Sequence, residues 1–280
     1  MKLVTWNTQW CCGLDGVVSP QRIVDGARAM SDFDVLCLQE VAVNYPRLKG
    51  DASGDQPAQI AALLPGFEVF FAPAVDEWQH GSRRRFGNLI ATRLPVAQVQ
   101  HHVLPYPADD SVISMPRVCA VATVVDPHLG PVRIMTTHLE YYSKKQRMAQ
   151  ANAVRDLHAQ YCDVAAMPPK PCNDGSAFDT KVHTMNAIVC GDFNFEPRDP
   201  EYLAVTHTFA HGRLWDCWHL MNGGRVHAPT FRLFDRTYGP DPVACDFVFV
   251  SDGLRAHVKK LAIDSDTKAS DHQPVAVDVR

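Results

Sequence analysis

Apolar, strand-like runs in this 280-residue chain repeatedly stop at side chains that a core cannot use. "LVTWN" ends at Asn7 and "DVLCLQE" at Glu40. "IMTTHL" carries His138. "NAIVCGDFN" carries Asp192 and Asn194, and Glu196-Pro197 closes it. "DFVFVS" begins at Asp246, and "SDHQP" sets Asp271 and His272 ahead of the last run. A bare carboxylate at a buried strand end is costly unless something pairs with it. The full set implies that neighbouring strand ends converge on a pocket. Its chemistry is uniform. Glu40 and Asp271 are hard anionic oxygen donors, and Asn7 and Asn194 offer carbonyl oxygen. That set suits Mg²⁺, with Mn²⁺ as a substitute, better than zinc, which favours imidazole and thiolate. An Asp beside a His, with a second Asp to orient the ring, makes a base or a phosphate-stabilising cation near neutral pH. The expected reaction is attack of water on a phosphoric ester, with metal neutralising the developing charge.

The pattern between these endings predicts more strand than helix. Strands are expected at Leu3 to Asn7, "DVLCLQE", "FEVFFAPAV", "GNLIATRLP", "VAQVQHHVLP", "RVCAVATVVD", "PVRIMTTHLE", "NAIVCGDFN", "TFRLF" and "DFVFVS". "RAHVKKLAI" and "QPVAVDV" close the chain. Ser19 and Pro20 open a helix through Met30, and "QPAQIAALLPG" predicts a second. The clearest helix spans 144–162, with Met148, Ala151, Val154, Leu157 and Tyr161 at three- and four-residue steps. A short one is expected from Glu201 to Thr206. "DEWQHGSRRRF" reads as a polar, basic loop, and the stretch 165–183 as a surface excursion or a lid. With no repeat and no convincing linker, one α+β domain over 1–280 is the economical reading.

Bulk composition excludes little. Hydrophobic residues make up 46% and charged residues 21%, and the net charge is −4 with a pI near 6.3. Overall charge therefore gives no attraction to polyanions, so a nuclease would need a local basic surface. Nine cysteines, without C-x-x-C spacing and mostly inside apolar runs, read as buried reduced thiols. With no signal-peptide pattern and no apolar run of membrane-spanning length, a cytoplasmic location is expected, with no membrane span and no obligate protein partner. G-x-S-x-G and G-x-x-x-x-G-K-[ST] are absent, so serine hydrolase and P-loop readings have no support.

"LVTWN", "LQE", "GNLIATRLP", "THLE", "GDFN", "DFVFVS" and "SDHQPV", in that order from residue 3 to about 279, resemble the signature of the endonuclease/exonuclease/phosphatase superfamily. Deoxyribonuclease I, exonuclease III-like enzymes, inositol polyphosphate 5-phosphatases and neutral sphingomyelinases share that fold. The resemblance implies a four-layered α/β/β/α sandwich, two mixed β-sheets face to face with helices outside, and a metal at the strand ends. It implies that Glu40 is the main metal ligand, with Asn7 and Asp271 close by. Asp192 would position or deprotonate the attacking water, and Asn194 would hold the phosphate and Asp192 in register. His138 and His272 would donate to non-bridging oxygens, and Asp246 would orient His272. Either Asp192 or His272 could be the base. The chain departs from the exonuclease III-like repair enzymes, which carry a Lys soon after "QE" and an aliphatic residue at the Phe193 position; here "LQE" runs into "VAVNYP".

Substrate contacts are expected from Arg117, Asn88 and Arg84. Arg83-Arg84-Arg85 is either a solvated loop or a phosphate clamp with Trp78 and Phe86 beside it. Asn88 is either a turn residue or a site residue. Arg147 and Gln150 are expected to hold their helix to the sheet. His207, His211, His219 and His227 lack the Glu of H-E-x-x-H and are expected to be structural. The functional expectation is a metal-dependent nuclease acting on DNA or RNA. The alternative is a phosphatase or phosphodiesterase for a small molecule or lipid headgroup, and an inactive binding module is a third reading.

Overall fold

A computed structural model describes residues 1–79 and 81–280. Along the chain come β1 (Lys2–Asn7), α1 (Pro20–Met30), β2 (Val35–Tyr45), β3 (Ala52–Asp55), α2 (Gln56–Leu63), β4 (Glu68–Gln79), β5 (Ser82–Thr92), β6 (Val96–Val103), β7 (Val118–Asp126) and β8 (Gly130–His138). Then follow α3 (Lys144–Ala166), β9 (Ala187–Asp192), α4 (Pro200–Thr206), β10 (Leu214–Asp216), α5 (Cys217–Asn222), β11 (Asp246–Ser251), a 3-10 turn, β12 (Val258–Ile263) and β13 (Val275–Val279). None of the described helices is long and apolar enough to cross a membrane.

Two mixed sheets form. One has the order β12-β13-β1-β2-β5-β4 with β3 on β2, and the other β10-β11-β9-β8-β7-β6. β1–β2 and β8–β9 are the parallel pairs. Both faces of these strands are apolar, so both must be covered. Leu3, Val35, Cys37 and Ile90 meet Ala120, Ile134, Ile188 and Val248 between the sheets. Their alternates point outward. Val4, Leu36 and Leu38 pack on Ile23, Val24 and Ala27 of α1 and Ile60 of α2. Val121, Met135, Val189, Phe247 and Phe249 pack on Ala151 and Val154 of α3 and Val205 of α4. The result is the expected α/β/β/α sandwich. The helices start where the sequence signals them: Ser19 Oγ accepts from Arg22 N at 3.2 Å, and Ser143 Oγ accepts from Gln146 N at 3.2 Å.

Three local expectations are corrected. "DEWQHGSRRRF" is not a loop on either side of His80, which lies outside the described residues: β4 and β5 stay paired out to Gln79 and Ser82, with Asp76 opposite Arg85 and Glu77 opposite Arg84. Facing opposite charges support a hairpin that projects beyond the core, where apolar alternation is not required. "TFRLF" is not a strand. Only Phe231 bridges, to Val243 and His272, because Arg232 turns left-handed at φ 62°. The 165–183 stretch is an excursion and not a lid, since it feeds β9 from the end opposite Asp192 and none of it lines the main cavity. Sequence reading also missed the short elements β3, β10 and α5.

The topology brings the polar endings to one rim. β8 and β9 are parallel and stop side by side at His138 and Asp192. β11 runs antiparallel to β9, so its first residue, Asp246, pairs with Asp192. β13 runs antiparallel to β1, so Asp271 and His272 arrive beside Asn7. Strands β8 and β9 approach so closely that a Cβ on Gly191, at φ 134°, would sit 2.0 Å from the Thr137 carbonyl oxygen. Gly191→Ala should therefore destabilise the protein by roughly 2–4 kcal/mol through backbone strain and the clash. Urea unfolding would check this, and an unchanged midpoint would contradict it.

Candidate active site

Asn7 is the bridge between the two sheets at this rim. Its Nδ2 donates to Asp192 Oδ2 at 2.9 Å and to Glu40 Oε1 at 3.2 Å. His138 Nε2 lies 3.4 Å from the same Asp192 oxygen, and His272 Nε2 lies 3.7 Å from it. His272 Nδ1 is bonded to Asp246 Oδ2 at 2.9 Å. Phe231 stacks on the His272 ring at 4.2 Å. Asp271 Oδ2 accepts from Gln9 Nε2 at 2.9 Å, and Ser270 Oγ donates to the Asn7 carbonyl at 2.7 Å.

The local backbone explains how the sheets release these side chains. Between Leu38 and Val41 the β2–β5 register slips, so that Gln39 and Glu40 face Asn88 alone. Glu40 takes φ 58° in this bulge. A bulge re-aims one side chain out of the pleat, and here it turns Glu40 toward the other acids. In "GDFNF", Phe193 and Phe195 are buried among Phe247 and Phe249, which anchors the turn. Asn194, at φ 52°, donates its N–H to Asp192 Oδ1 at 2.9 Å and its Nδ2 to the Leu139 carbonyl at 2.9 Å.

Burial and mutual repulsion set the protonation. Burial, then Asp271, raise Glu40 to about 7. Burial raises Asp192 to about 6, against the opposing pull of His272. Asp271 is raised by burial too. Burial pulls His272 down, but Asp246 and Asp192 outweigh it and lift the imidazole to about 10. His138 is pushed well down by burial, Arg117 and His272, and so is neutral. Among the described residues no Lys or Arg forms an ion pair with Glu40, Asp192, Asp246 or Asp271; histidines are their only partners.

That imbalance is a fit test for a cation. One imidazolium faces four carboxylates, and Glu40 and Asp271 are bonded only to amide and hydroxyl groups, with neutral His138 3.9 Å from Glu40. Hard oxygen donors with a charge deficit fit a divalent metal of the magnesium type. Asp192, Cys245 and His272 also place ligand-type atoms within 4.8 Å of one another. However, His272 Nδ1 is engaged by Asp246, and Cys245 Sγ also donates to Asp246, at 3.5 Å.

Glu40, Asp192, Asn194, His138, Asp271, His272 and Arg117 line one cavity of about 330 Å³. Arg117 is buried, gives Nε to Glu140 Oε2 at 3.1 Å and leaves Nη1 without a partner. Asp246 lies behind His272. Asn88 lies outside this cavity; its Nδ2 crosses to the Val118 carbonyl at 2.9 Å and it borders only a small void beside Glu40 and Arg117. Arg84 also lies outside, on the hairpin above the Tyr45 ring. Sequence reading missed Gln9, Trp10, Met115, Glu140, Tyr141, Tyr142, Phe231 and Tyr238 in the lining. Glu140 and Tyr141 follow "THL" and were within reach of the motif. Tyr238 comes from an irregular loop and carried no signal. Arg147 and Gln150 do anchor α3. Arg147 Nη1 bonds the Glu140 and Tyr141 carbonyls, and Gln150 Oε1 accepts the Glu140 N–H. The histidines of 207–227 are dispersed: His211 pairs with Asp163, His219 with Asp216, and His227 stacks on Trp218.

Comparison with known proteins supplies the family. No curated protein matches the sequence. The crystal structure of an endonuclease/exonuclease/phosphatase from Beutenbergia cavernae DSM 12333 aligns at 25% identity and a TM-score of 0.64, over 100% of this chain and 71% of that one. A mannosyl-6-phosphatase, Bt3783, of Bacteroides thetaiotaomicron VPI-5482 shares the fold at 19% identity and a TM-score of 0.67, over 100% and 99% of the chains. A humanized D. rerio TDP2 does so at 17% and 0.63, over 100% and 98%. The model of the Endonuclease/Exonuclease/phosphatase family matches residues 4–272. The chain therefore belongs to the endonuclease/exonuclease/phosphatase family, whose members are hydrolases of phosphoester bonds and generally depend on a divalent metal.

Proposed function

We propose that residues 1–280 act as one catalytic unit that hydrolyses a small phosphate ester, with Mg²⁺ as the metal. The observation that carries the reaction is the convergence of Asn7, His138 and His272 on a single Asp192 oxygen beside the Glu40–Asp271 acids. The site draws on residues 7 and 272 alike, which supports a single unit. Glu40 and Asp271 would hold the cation, which would neutralise charge developing on the phosphoryl oxygens. Asn7 does not present the carbonyl oxygen expected of it: Oδ1 accepts the Gln9 N–H at 3.1 Å, and Nδ2 fixes Glu40 and Asp192. Asp192, ionised above about pH 6, takes the proton of the attacking water. His272, kept cationic by Asp246 and Asp192, donates to a non-bridging oxygen and is no base at neutral pH. Neutral His138 and the Asn194 amide orient the same group, and Arg117, whose buried Nη1 has no partner, adds fixed positive charge beside the cavity. Nine free cysteines, eight of them buried, support a reducing, cytoplasmic location.

The small-ester reading rests on charge. Arg117 is the only Lys or Arg among the described residues of the cavity lining, and Glu140 already engages it. A structural neighbour named as a mannosyl-6-phosphatase is compatible with such a substrate. One feature favours the nuclease reading: the β4–β5 hairpin carries Arg83, Arg84 and Arg85 with a largely exposed Trp78. Against it, Arg83 is paired to Asp76 at 2.6 Å and Arg85 to Asp55 at 3.5 Å.

Asp192→Asn should cut kcat by at least about a hundredfold in Mg²⁺ without moving the unfolding midpoint downward. Turnover like the parent's in a folded variant would remove Asp192 from the mechanism. At saturating metal, the rate should rise with pH along an acid limb at or below about 6, because a cation beside Asp192 favours its ionised form, and fall at high pH where His272 loses its proton. An acid limb that persists unchanged in Asp192→Asn would contradict Asp192 as base. Ionic strength separates the two substrate classes. KM for a small ester should change less than about threefold between 50 and 200 mM salt, whereas a polynucleotide held by 6–10 phosphates would lose roughly 10³-fold or more in affinity. Efficient cleavage of DNA or RNA with that steep salt slope would establish the nuclease instead.

A further inference from the structure

The rings on the cavity wall form a chain that begins at the reacting centre. Phe231 lies flat on His272 at 4.2 Å and 18°. Tyr238 follows Phe231 at 6.1 Å, Tyr141 meets Tyr238 edge-on at 5.9 Å, and Tyr142 meets Tyr141 edge-on at 4.8 Å. Trp10 and Met115 complete this apolar side. Tyr142 and Tyr238 remain 45% and 44% exposed, so both keep surface for a guest to cover. Trp10 is held in place by the backbone: it sits in a run of three left-handed residues, and its Nε1 donates to the Lys49 carbonyl at 2.9 Å. Cationic partners are scarce. Arg117 has Nε and Nη2 on Glu140 and a buried Nη1, and cationic His272 is committed to the reacting phosphoryl group. A second phosphate would find no further Lys or Arg on the described cavity lining.

Resting on the small-ester reading above, we infer that the substrate carries one phosphoryl group joined to an uncharged ring, which packs on the Phe231–Tyr238–Tyr141–Tyr142 wall. Flat aromatic rings and the C–H faces of sugar rings share this chemistry, because both present an apolar face to an aromatic platform. Inositol polyphosphates and other esters with more than one phosphate group are excluded by the same count of cations.

The test uses esters of primary alcohols of similar leaving ability, as monoesters and as methyl diesters, with the purified full chain in Mg²⁺. 2-Phenylethyl phosphate and a hexose 6-phosphate are the ring arms. Ethyl and n-octyl phosphates are the open-chain arms, and ethane-1,2-diyl bisphosphate is the doubly charged arm. At least one ring ester should exceed ethyl phosphate in kcat/KM by about tenfold, and the bisphosphate should not exceed it. The arm that wins tells an aromatic ring from a sugar. Octyl phosphate matching the ring esters, or the bisphosphate outrunning them, overturns the inference. In Tyr238→Ala and Tyr142→Ala the ratio of the better ring ester to ethyl phosphate should fall toward one, and a ratio unmoved in both folded variants also overturns it. If no ester is turned over, the proposed reaction fails. Calorimetric titration of the same compounds with Mg²⁺ then decides the ring preference by itself: tighter binding of a ring ester upholds it, and equal binding of all arms ends it.

Discussion

Negative charge taken out of water at one rim of a double sheet is the condition to which the rest of this structure answers. Glu40, Asp192, Asp246 and Asp271 meet there with a single imidazolium, His272, as their charged partner. Burying unpaired carboxylates is costly, and a protein accommodates them by protonation, by hydrogen bonds or by a cation. All of these responses are visible or implied. Glu40 and Asp192 hold their protons to unusually high pH. Asn7, Gln9 and the Asn194 N–H donate to the acids. The remaining deficit is one that a divalent ion would largely offset, which accords with the general metal dependence of the family.

Rigid surroundings keep the cluster from relaxing. Each acid is fixed by an element packed in the apolar layers. Phe193 and Phe195 tie the turn after Asp192 into the outer aromatic core, and Trp6, wholly buried, bonds the His272 carbonyl through Nε1 at 2.9 Å. Left-handed Glu40 and Asn194 would be uphill in a free chain. They persist because the strands on either side are clamped between layers, and strain of this kind concentrates where side chains are aimed for use. Gln39 adds a polar tie across the sheets. Its Nε2 reaches Thr5 and Thr136 on opposite sheets, directly beneath Glu40.

The layers were legible in the sequence because each central strand is apolar on both faces and each helix bears one periodic stripe. The rim was legible for a related reason: Asn7, His138, Asp192 and Asp271 sit at the ends of apolar runs, where burial makes a polar side chain conspicuous, whereas Glu40 does not end its strand as expected but interrupts β2 at a bulge. What stayed hidden lies where burial does not constrain composition. The β4–β5 hairpin is held by facing charges and hydrogen bonds, so it carries a loop's composition with a strand's geometry. Arg84 and Asn88 show the limit from two sides. Proximity in sequence to "GNLI" suggested contact with substrate, but a hairpin arm carries Arg84 away from the cavity and a cross-sheet bond turns Asn88 to Val118. Tyr238 and Phe231 reach the site from irregular backbone, and no period in the sequence announces such an arrival.

On the proposed reading, the acidity of the cavity also dictates how metal and substrate bind together. A phosphate ester is an anion, and it enters a pocket whose nearest groups are Glu40, Asp192, Asp271 and the Glu140-engaged Arg117. Glu40 and Asp271 oppose it there, and a cation held by those two acids would offset that repulsion. The two affinities are therefore coupled, and the coupling is reciprocal: an ester that needs the cation to bind must, by the same free energy, tighten the hold on that cation. A carboxylate-rich, arginine-poor pocket makes this coupling large, because so little fixed positive charge is present to bind the ester alone. The aromatic wall acts on the other part of the molecule and is indifferent to the field. Division of labour follows from physics: charge at the rim selects the phosphoryl group through the cation, and the rings select what the phosphoryl group is attached to.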